Sequence, residues 1–249
     1  MASGKYSALA GAISREQRLA NISTNLANIN TTGYKKSRMS FESLLRGEKQ
    51  ITDAKGINYS RVRENFTEFT EGSIKGTDNP LDIAIYGDGF FKVQGLEGVR
   101  YTRRGDFHVD QDGTLLTGND MPVLDEGNAP ITIPDTDSSK IYINSLGEIS
   151  TLSIDGSREI VGNIAVYTIN SNTFLKRESD TLFSLQEGGQ EIITEEPELT
   201  VGSLETSNVN MIEEMALMIE STRTFESYQK VIKAYSQLGE KQDELGTIG

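Results

Sequence analysis

Two stripes of apolar and small residues, one at each end, constrain this 249-residue chain more than anything between them. Near the C-terminus Met211, Met215, Met218, Thr222, Phe225 and Ile232 recur in alternating steps of four and three, with Gln229 in register. That spacing predicts the seam of an amphipathic helix suited to coiled-coil packing. Asn210 is placed to cap its start, with Glu213 three residues on, and Gly239 after Leu238 predicts its end. A helix of about 29 residues is about 43 Å long, and such a stripe cannot bury itself. At the other end Ala8, Ala12, Leu19, Ile22, Leu26 and Ile29 keep the same spacing and run out at Asn30-Thr31-Thr32-Gly33. The chain leaves along the first helix and returns along the last, so the two are expected to pair antiparallel. Ile29 then meets Met211, Leu26 meets Met215, Ile22 meets Met218 and Leu19 meets Thr222. The same register brings Arg15 near Phe225 and Glu226, and Arg18 near Glu220 or Glu226. Three other arrangements stay open: both helices packing on a central domain, a shifted register, or pairing only between subunits.

Charge supports the pairing. Residues 1–63 carry a net +7, from 11 basic and 4 acidic side chains, whereas residues 205–249 carry a net −4. The middle is strongly acidic, which argues against nucleic acid as a partner. Asn21, Asn25 and Asn28 share one face of the first helix, where a solvated surface favours Glu, Lys or Gln. The amides are expected to make contacts between subunits rather than within one, and Arg15, Arg18 and Glu226 are further candidates for subunit contacts.

After Gly33 a basic run, Tyr34-Lys35-Lys36-Ser37-Arg38, precedes a segment from Met39 to Arg46 that reads as a short helix around Phe41, Leu44 and Leu45. Gly47 to Gly56 reads as a loop, and from Ile57 the period drops to two. From Gly72 to Gly202 short alternating runs such as Leu81–Ile85, Phe91–Val93, Tyr101–Arg103, Ile141–Ile143 and Val166–Ile169 are separated by turn signals. The expected class is mainly β: an antiparallel barrel or sandwich carried by long terminal helices in an antiparallel coiled coil. The divisions are 1–71, 72–202 and 203–249. The core list is Ile83, Ile85, Phe91, Val93, Phe107, Ile143, Val166 and Phe183.

Chemistry finds little to stand on. There is no cysteine and a single histidine, His108, expected to point outward from a strand. Asp110-Gln111-Asp112-Gly113 has the glycine too early for a calcium loop and reads as a hairpin turn. Asp135-Thr136-Asp137 reads as a loop, and Gly87-Asp88-Gly89 lacks the third glycine and helix of a phosphate cradle. We expect no catalytic residue, metal or cofactor.

Four motifs in order resemble the bacterial flagellar basal-body rod family, the axial proteins of rod and hook. They are Leu19–Ile22 with Asn25–Lys35; Asn79–Ile85 with Gly87–Phe91; Tyr101–Phe107 with Asp112–Leu115; and Gly202–Asn210 followed by Glu214-Met215 and Arg223–Glu226. Within the family, Gly127–Pro134, Ile141–Ile143, Gly147–Ser150 and Lys230–Ile232 are similar to a proximal-rod member, and the short segment from Gly33 to Gly72 weighs against a distal-rod member. Tyr34 stands where phenylalanine is more usual, and Asp78 where glycine is common. The resemblance implies a non-enzymatic structural subunit, exported without a cleaved signal peptide by the flagellar export apparatus. It implies assembly in the periplasm with copies of itself and other rod proteins into a shaft that transmits torque. Rivals are a distal-rod or hook protein, a secreted adhesin with a β head on a coiled-coil stalk, and a carboxylate hydrolase.

Overall fold

The computed structural model describes residues 2–46, 57–134, 141–152 and 157–246. It divides into two units: Met1–Ala27, Ser37–Glu68 and Val209–Gly249 form one, and Asn28–Lys36 with Phe69–Asn208 form the other. The Gly47–Gly56 loop and the Asp135-Thr136-Asp137 reading fall outside the described residues.

The first unit holds helix α1 (Ala2–Ala27) and a hairpin of β1 (Ser37–Arg46) and β2 (Ile57–Thr67). Helix α2 (Met211–Gly246) completes it after the chain has passed through the second unit. Helix α1 packs against both α2 and the hairpin. The helix expected at Met39–Arg46 is instead strand β1, antiparallel to β2 with a register shift between Ser40 and Phe41. Eight residues are too few for a helix to hold itself, and the period-two run from Ile57 offers a full ladder of backbone partners. Asn210 caps α2 as expected, its Oδ1 accepting from the backbone N–H groups of Ile212 at 3.0 Å and Glu213 at 3.2 Å. The end differs: α2 continues through Gly239 to Gly246. Glycine ends a helix by taking a left-handed conformation, and Gly239 is not among the glycines with positive φ. Within the helix it only costs about 1 kcal/mol relative to alanine.

The second unit is mainly β, and its named strands pair antiparallel. They are β3 (Ile74–Gly76), β4 (Ile83–Tyr86), β5 (Phe90–Gly95), β6 (Gly98–Thr102), β7 (Phe107–Val109), β8 (Leu115–Thr117), β9 (Ile141–Ile143), β10 (Glu148–Leu152), β11 (Arg158–Asn163), β12 (Val166–Ile169), β13 (Leu175–Arg177), β14 (Leu182–Leu185), β15 (Glu191–Ile193), β16 (Glu198–Val201) and β17 (Ser203–Glu205). One sheet runs β13-β14-β6-β5-β12-β15 and another β11-β10-β9; the pairs β16-β4, β17-β3 and β7-β8 complete the unit. The turn at Asp110 is a hairpin turn, its carboxylate accepting from the backbone N–H groups of Asp112 and Thr114 while Gly113 takes φ +81°. Asp78 sits at φ +60°, the left-handed region, which explains why a glycine suits that position.

The central strands of the six-stranded sheet are buried on both faces, whereas its edge strand β15 is exposed. Phe91, Val93 and Val166 enter one core with Ile83, Ile85, Phe107 and Ile149. Phe90, Tyr101, Tyr167 and Phe183 form a second core on the opposite face. Seven of the eight core residues named from the sequence are buried, and Ile143, partly buried, packs against the first core. Alternation predicts a solvated Lys92, but Lys92 belongs to the second face. There it is buried, paired with Glu191 at 2.7 Å and lying over the Tyr167 ring at 4.4 Å.

Candidate functional site

In the first unit the candidate site is the helix pair. Asn25 is buried where α1 meets α2 and β1. Its Nδ2 donates to the Ser37 carbonyl at 3.0 Å and to Glu214 Oε2 at 3.2 Å, and its Oδ1 accepts from Ser37 N at 3.0 Å. Asn21 Nδ2 donates to Ser37 Oγ at 2.9 Å. These two amides therefore work within the chain, correcting the expectation that the stripe acts only between subunits. A strand edge laid beside α1 carries backbone groups that must be satisfied, and a short amide with both donor and acceptor does so. Asn28, also buried, belongs to the second unit, its Oδ1 accepting from Thr31 Oγ1 at 2.9 Å.

Toward the chain ends, small residues of α1 receive rings of α2. A Cβ added at Gly11 would stand 2.6 Å from the Tyr228 ring, and one at Gly4 would stand 2.6 Å from the Tyr235 hydroxyl. The pairs Gly4–Tyr235, Gly11–Tyr228 and Asn25–Glu214 share one antiparallel register, their residue numbers each adding to 239. The expected register is offset from this by one or two residues. The offset moves the seam on α2 to Glu214, Ser221, Tyr228 and Tyr235, seven residues apart. Met218 and Phe225 remain half-buried beside it, as do Leu19 and Leu26 on α1; Ile29, after the helix, is half-buried, and Ile22 is buried. Met211 and Met215 are 49% and 51% exposed, and Thr222 is exposed as well. Arg15 and Arg18 are partly exposed, and Glu226 is exposed. A hydrophobic scale passes over glycine and tyrosine as helix contacts, although the seven-residue spacing of Gly4 and Gly11 matches that of Tyr228 and Tyr235. Left uncovered are Tyr6, Leu9 and Ile13 on α1, and Met211, Ile212, Met215 and Ile219 on α2.

The second unit holds a buried ionic cluster that sequence reasoning missed. Lys35, in the basic run after Gly33, is fully buried, and Tyr34 and Lys36 beside it are also buried. Lys35 Nζ lies 2.6 Å from Glu205 Oε1 and donates to the Thr70 carbonyl at 2.8 Å. Gly72 N donates to the same Glu205 oxygen at 2.8 Å, and Arg103 Nη1 lies 3.4 Å from Glu205 Oε2. Arg103 Nη2 donates to the Gly87 carbonyl at 2.6 Å. Burial pushes the Lys35 ammonium below the usual lysine range, opposed by Glu205, and does the same to the Arg103 guanidinium. Gly33 is required here as well as at the helix exit. It has φ +67°, its N–H donates to the Glu205 carbonyl at 2.9 Å, and a Cβ would stand 2.5 Å from the Arg103 backbone. His108 is exposed, 3.3 Å from Asp120. Among the described residues there is no cluster of metal-binding side chains, and no helix is long and apolar enough to cross a membrane.

These elements coincide with three family models. Residues 6–35 match the flagella basal body rod protein family, residues 84–151 the flagellar hook protein FlgE/F/G D1 domain, and residues 200–244 the flagellar basal body rod FlgEFG protein C-terminal region. The flagellar basal-body rod protein FlgG of Bacillus subtilis is 31% identical over 94% of this chain and 95% of its own length. FlgG of Buchnera aphidicola (from Acyrthosiphon pisum) is 33% identical over 90% and 92%, and FlgF of Caulobacter vibrioides 30% identical over 98% of each. With its terminal helices, its β unit and the connecting motifs all matched in order, this chain belongs to the flagellar basal-body rod protein family.

Proposed function

We propose that this chain is a proximal-rod subunit of FlgF type, a structural protein that polymerises with itself and other rod proteins into a helical, torque-bearing shaft. The observation that carries this is the apolar surface left on both terminal helices, Tyr6, Leu9, Ile13, Met211, Ile212, Met215 and Ile219, which one chain does not cover. Water penalises such a surface by roughly 25 cal/mol per Å², and adjoining copies remove it. In this reading α1 and α2 form an antiparallel coiled coil and the β unit is a barrel-like head. The subunit passes through the flagellar export apparatus and assembles in the periplasm. A chain without cysteine makes no disulfides on entering an oxidising compartment. A distal-rod subunit of FlgG type is the second reading, favoured by the 31% and 33% identities to the two FlgG relatives. Locating the subunit along purified basal bodies by electron cryomicroscopy separates the two. Replacing Ile212 and Ile219 together with glutamate tests the rod role. Secondary structure should be unchanged while rod completion and motility are lost; normal motility in that strain refutes the role assigned to the stripe.

A further inference from the structure

The apolar side chains left uncovered on the helix pair fall into two stripes that match each other. On α1 the seam toward α2 is Gly4, Gly11 and Asn25, and Tyr6, Leu9 and Ile13 lie on the opposite face in steps of three and four. On α2 the seam is Glu214, Ser221 and Tyr228, and Ile212, Met215 and Ile219 lie opposite it, also in steps of three and four. Each stripe therefore faces away from its own partner helix. The stripes also sit at opposite ends of the pair: within one chain Ile13 is level with Glu226, whereas Ile212 is level with Ala27. One chain cannot lay one stripe on the other, but two chains side by side can. Laid antiparallel, Ile13 meets Ile212 and Tyr6 meets Ile219, with Leu9 beside Met215. The same register sets Lys5 against Glu220, both exposed, and brings Glu16 of the α1 face opposite Val209, just ahead of α2, where the helix dipole is positive. Charge disfavours two α2 stripes meeting each other. Glu213, Glu220 and Glu226 flank that stripe, against Arg223, so acid would face acid.

We propose that the α1 stripe of one copy docks antiparallel on the α2 stripe of the next copy, with Ile13 level with Ile212 of that copy. This rests on the rod reading above for the need to polymerise, and adds which face meets which. The paired residue numbers add to 225, fourteen below the register within a chain, so successive copies step by about 21 Å along the helices at 1.5 Å per residue. A contact between two different faces leaves one of each free, and such a step prevents ring closure, so the contact builds an open filament. The chain has no cysteine, so introduced thiols report the contact directly. The full chain is purified as Ile13→Cys and, with a longer tag, as Ile212→Cys; the two are mixed and oxidised. The expected product is the mixed disulfide dimer, and the chain carrying both substitutions should give a ladder of oligomers. A bridge within one chain is excluded, because the two positions lie about 21 Å apart along the pair and a disulfide spans roughly 7 Å between Cα atoms. Lys5→Glu should lower the yield roughly threefold at low salt, and Glu220→Lys in the other chain should restore it. Tyr6→Cys mixed with Ile212→Cys, one heptad out of register, should give little product. Equal yield from that displaced pair overturns the register, and like-with-like dimers dominating the mixture overturn the pairing of α1 with α2. No cross-link at all overturns a second copy as the occupant. The rod reading has its own readout in the Ile212 and Ile219 glutamate strain: lost motility there, with no cross-link here, keeps the rod reading and overturns only this contact.

Discussion

The buried cluster around Glu205 shows how unevenly a residue's partners weigh. Lys35 and Arg103 both lean on this one carboxylate, with Thr70, Gly72 and Gly87 supplying backbone groups. A buried pair contributes little net stability when complete, but removing one partner leaves an uncompensated charge at a cost of roughly 3–5 kcal/mol. Glu205→Gln strands two cations and should lower stability by about that amount. Lys35→Met leaves the Arg103–Glu205 pair and should cost clearly less; urea denaturation of the two variants checks the order. A second buried site bears on stability at alkaline pH. Tyr167, its hydroxyl donating to the Asp125 carbonyl at 3.2 Å, has its pKa pushed up from 10.0 to about 12, first by burial and then by Glu191. A group whose folded pKa is raised contributes stability that is whole below its unfolded pKa and is lost as pH rises through the folded one. Stability should therefore fall between about pH 10 and pH 12. Tyr167→Phe keeps the ring under Lys92 and should flatten that fall, measured as the denaturation midpoint against pH.

At the scale of elements, the helix pair is decided by which residues let the backbones approach. In isolation, Gly11→Ala gains about 1 kcal/mol of helix propensity. In the pair its Cβ meets the Tyr228 ring at 2.6 Å, so the ring must move. Gly11→Ala should therefore lower or leave unchanged the melting temperature of the wild-type chain, yet raise it in a Tyr228→Leu background. Additive effects across the four chains would show that the two residues do not touch. Heptad spacing was legible in the sequence because apolar residues do recur at it. The face was not, because methionine and tyrosine both satisfy an apolar pattern, and only Asn25, Glu214 and the two glycines select between the faces. Strand β1 was hidden for a related reason: Phe41, Leu44 and Leu45 satisfy a helical period until β2 is laid alongside.

At the scale of the whole molecule, the chain passes from the first unit into the second at Asn28, returns at Ser37, leaves again at Phe69 and returns at Val209. Each unit is thus built from segments far apart in sequence, and the short segment Asn28–Lys36 contributes Gly33, Tyr34 and Lys35 to the β unit. A fragment of residues 28–208 should fold with native β content and unfold cooperatively. A fragment of residues 69–208 loses Lys35 and should melt at least several degrees lower, or not fold at all, by circular dichroism. Equal melting temperatures would show that the segment contributes nothing to the unit.

What the sequence by itself determined is what repeats locally: two terminal helices, the Asn210 cap, the hairpin turn at Asp110, and the inward alternation of Ile83, Ile85, Phe91 and Val93. Period, cap chemistry and turn chemistry act over a few residues, so they can be read from neighbours alone. Only the tertiary structure decided that Lys35, Lys92 and Arg103 are interior, that Asn21 and Asn25 serve their own chain, and that Met211 and Met215 face outward. Whether a charge or an amide is buried depends on a partner that can satisfy it, and here that partner lies as far away as Lys35 from Glu205 or Asn25 from Glu214. No local pattern carries that information, because it exists only once the distant segments have met.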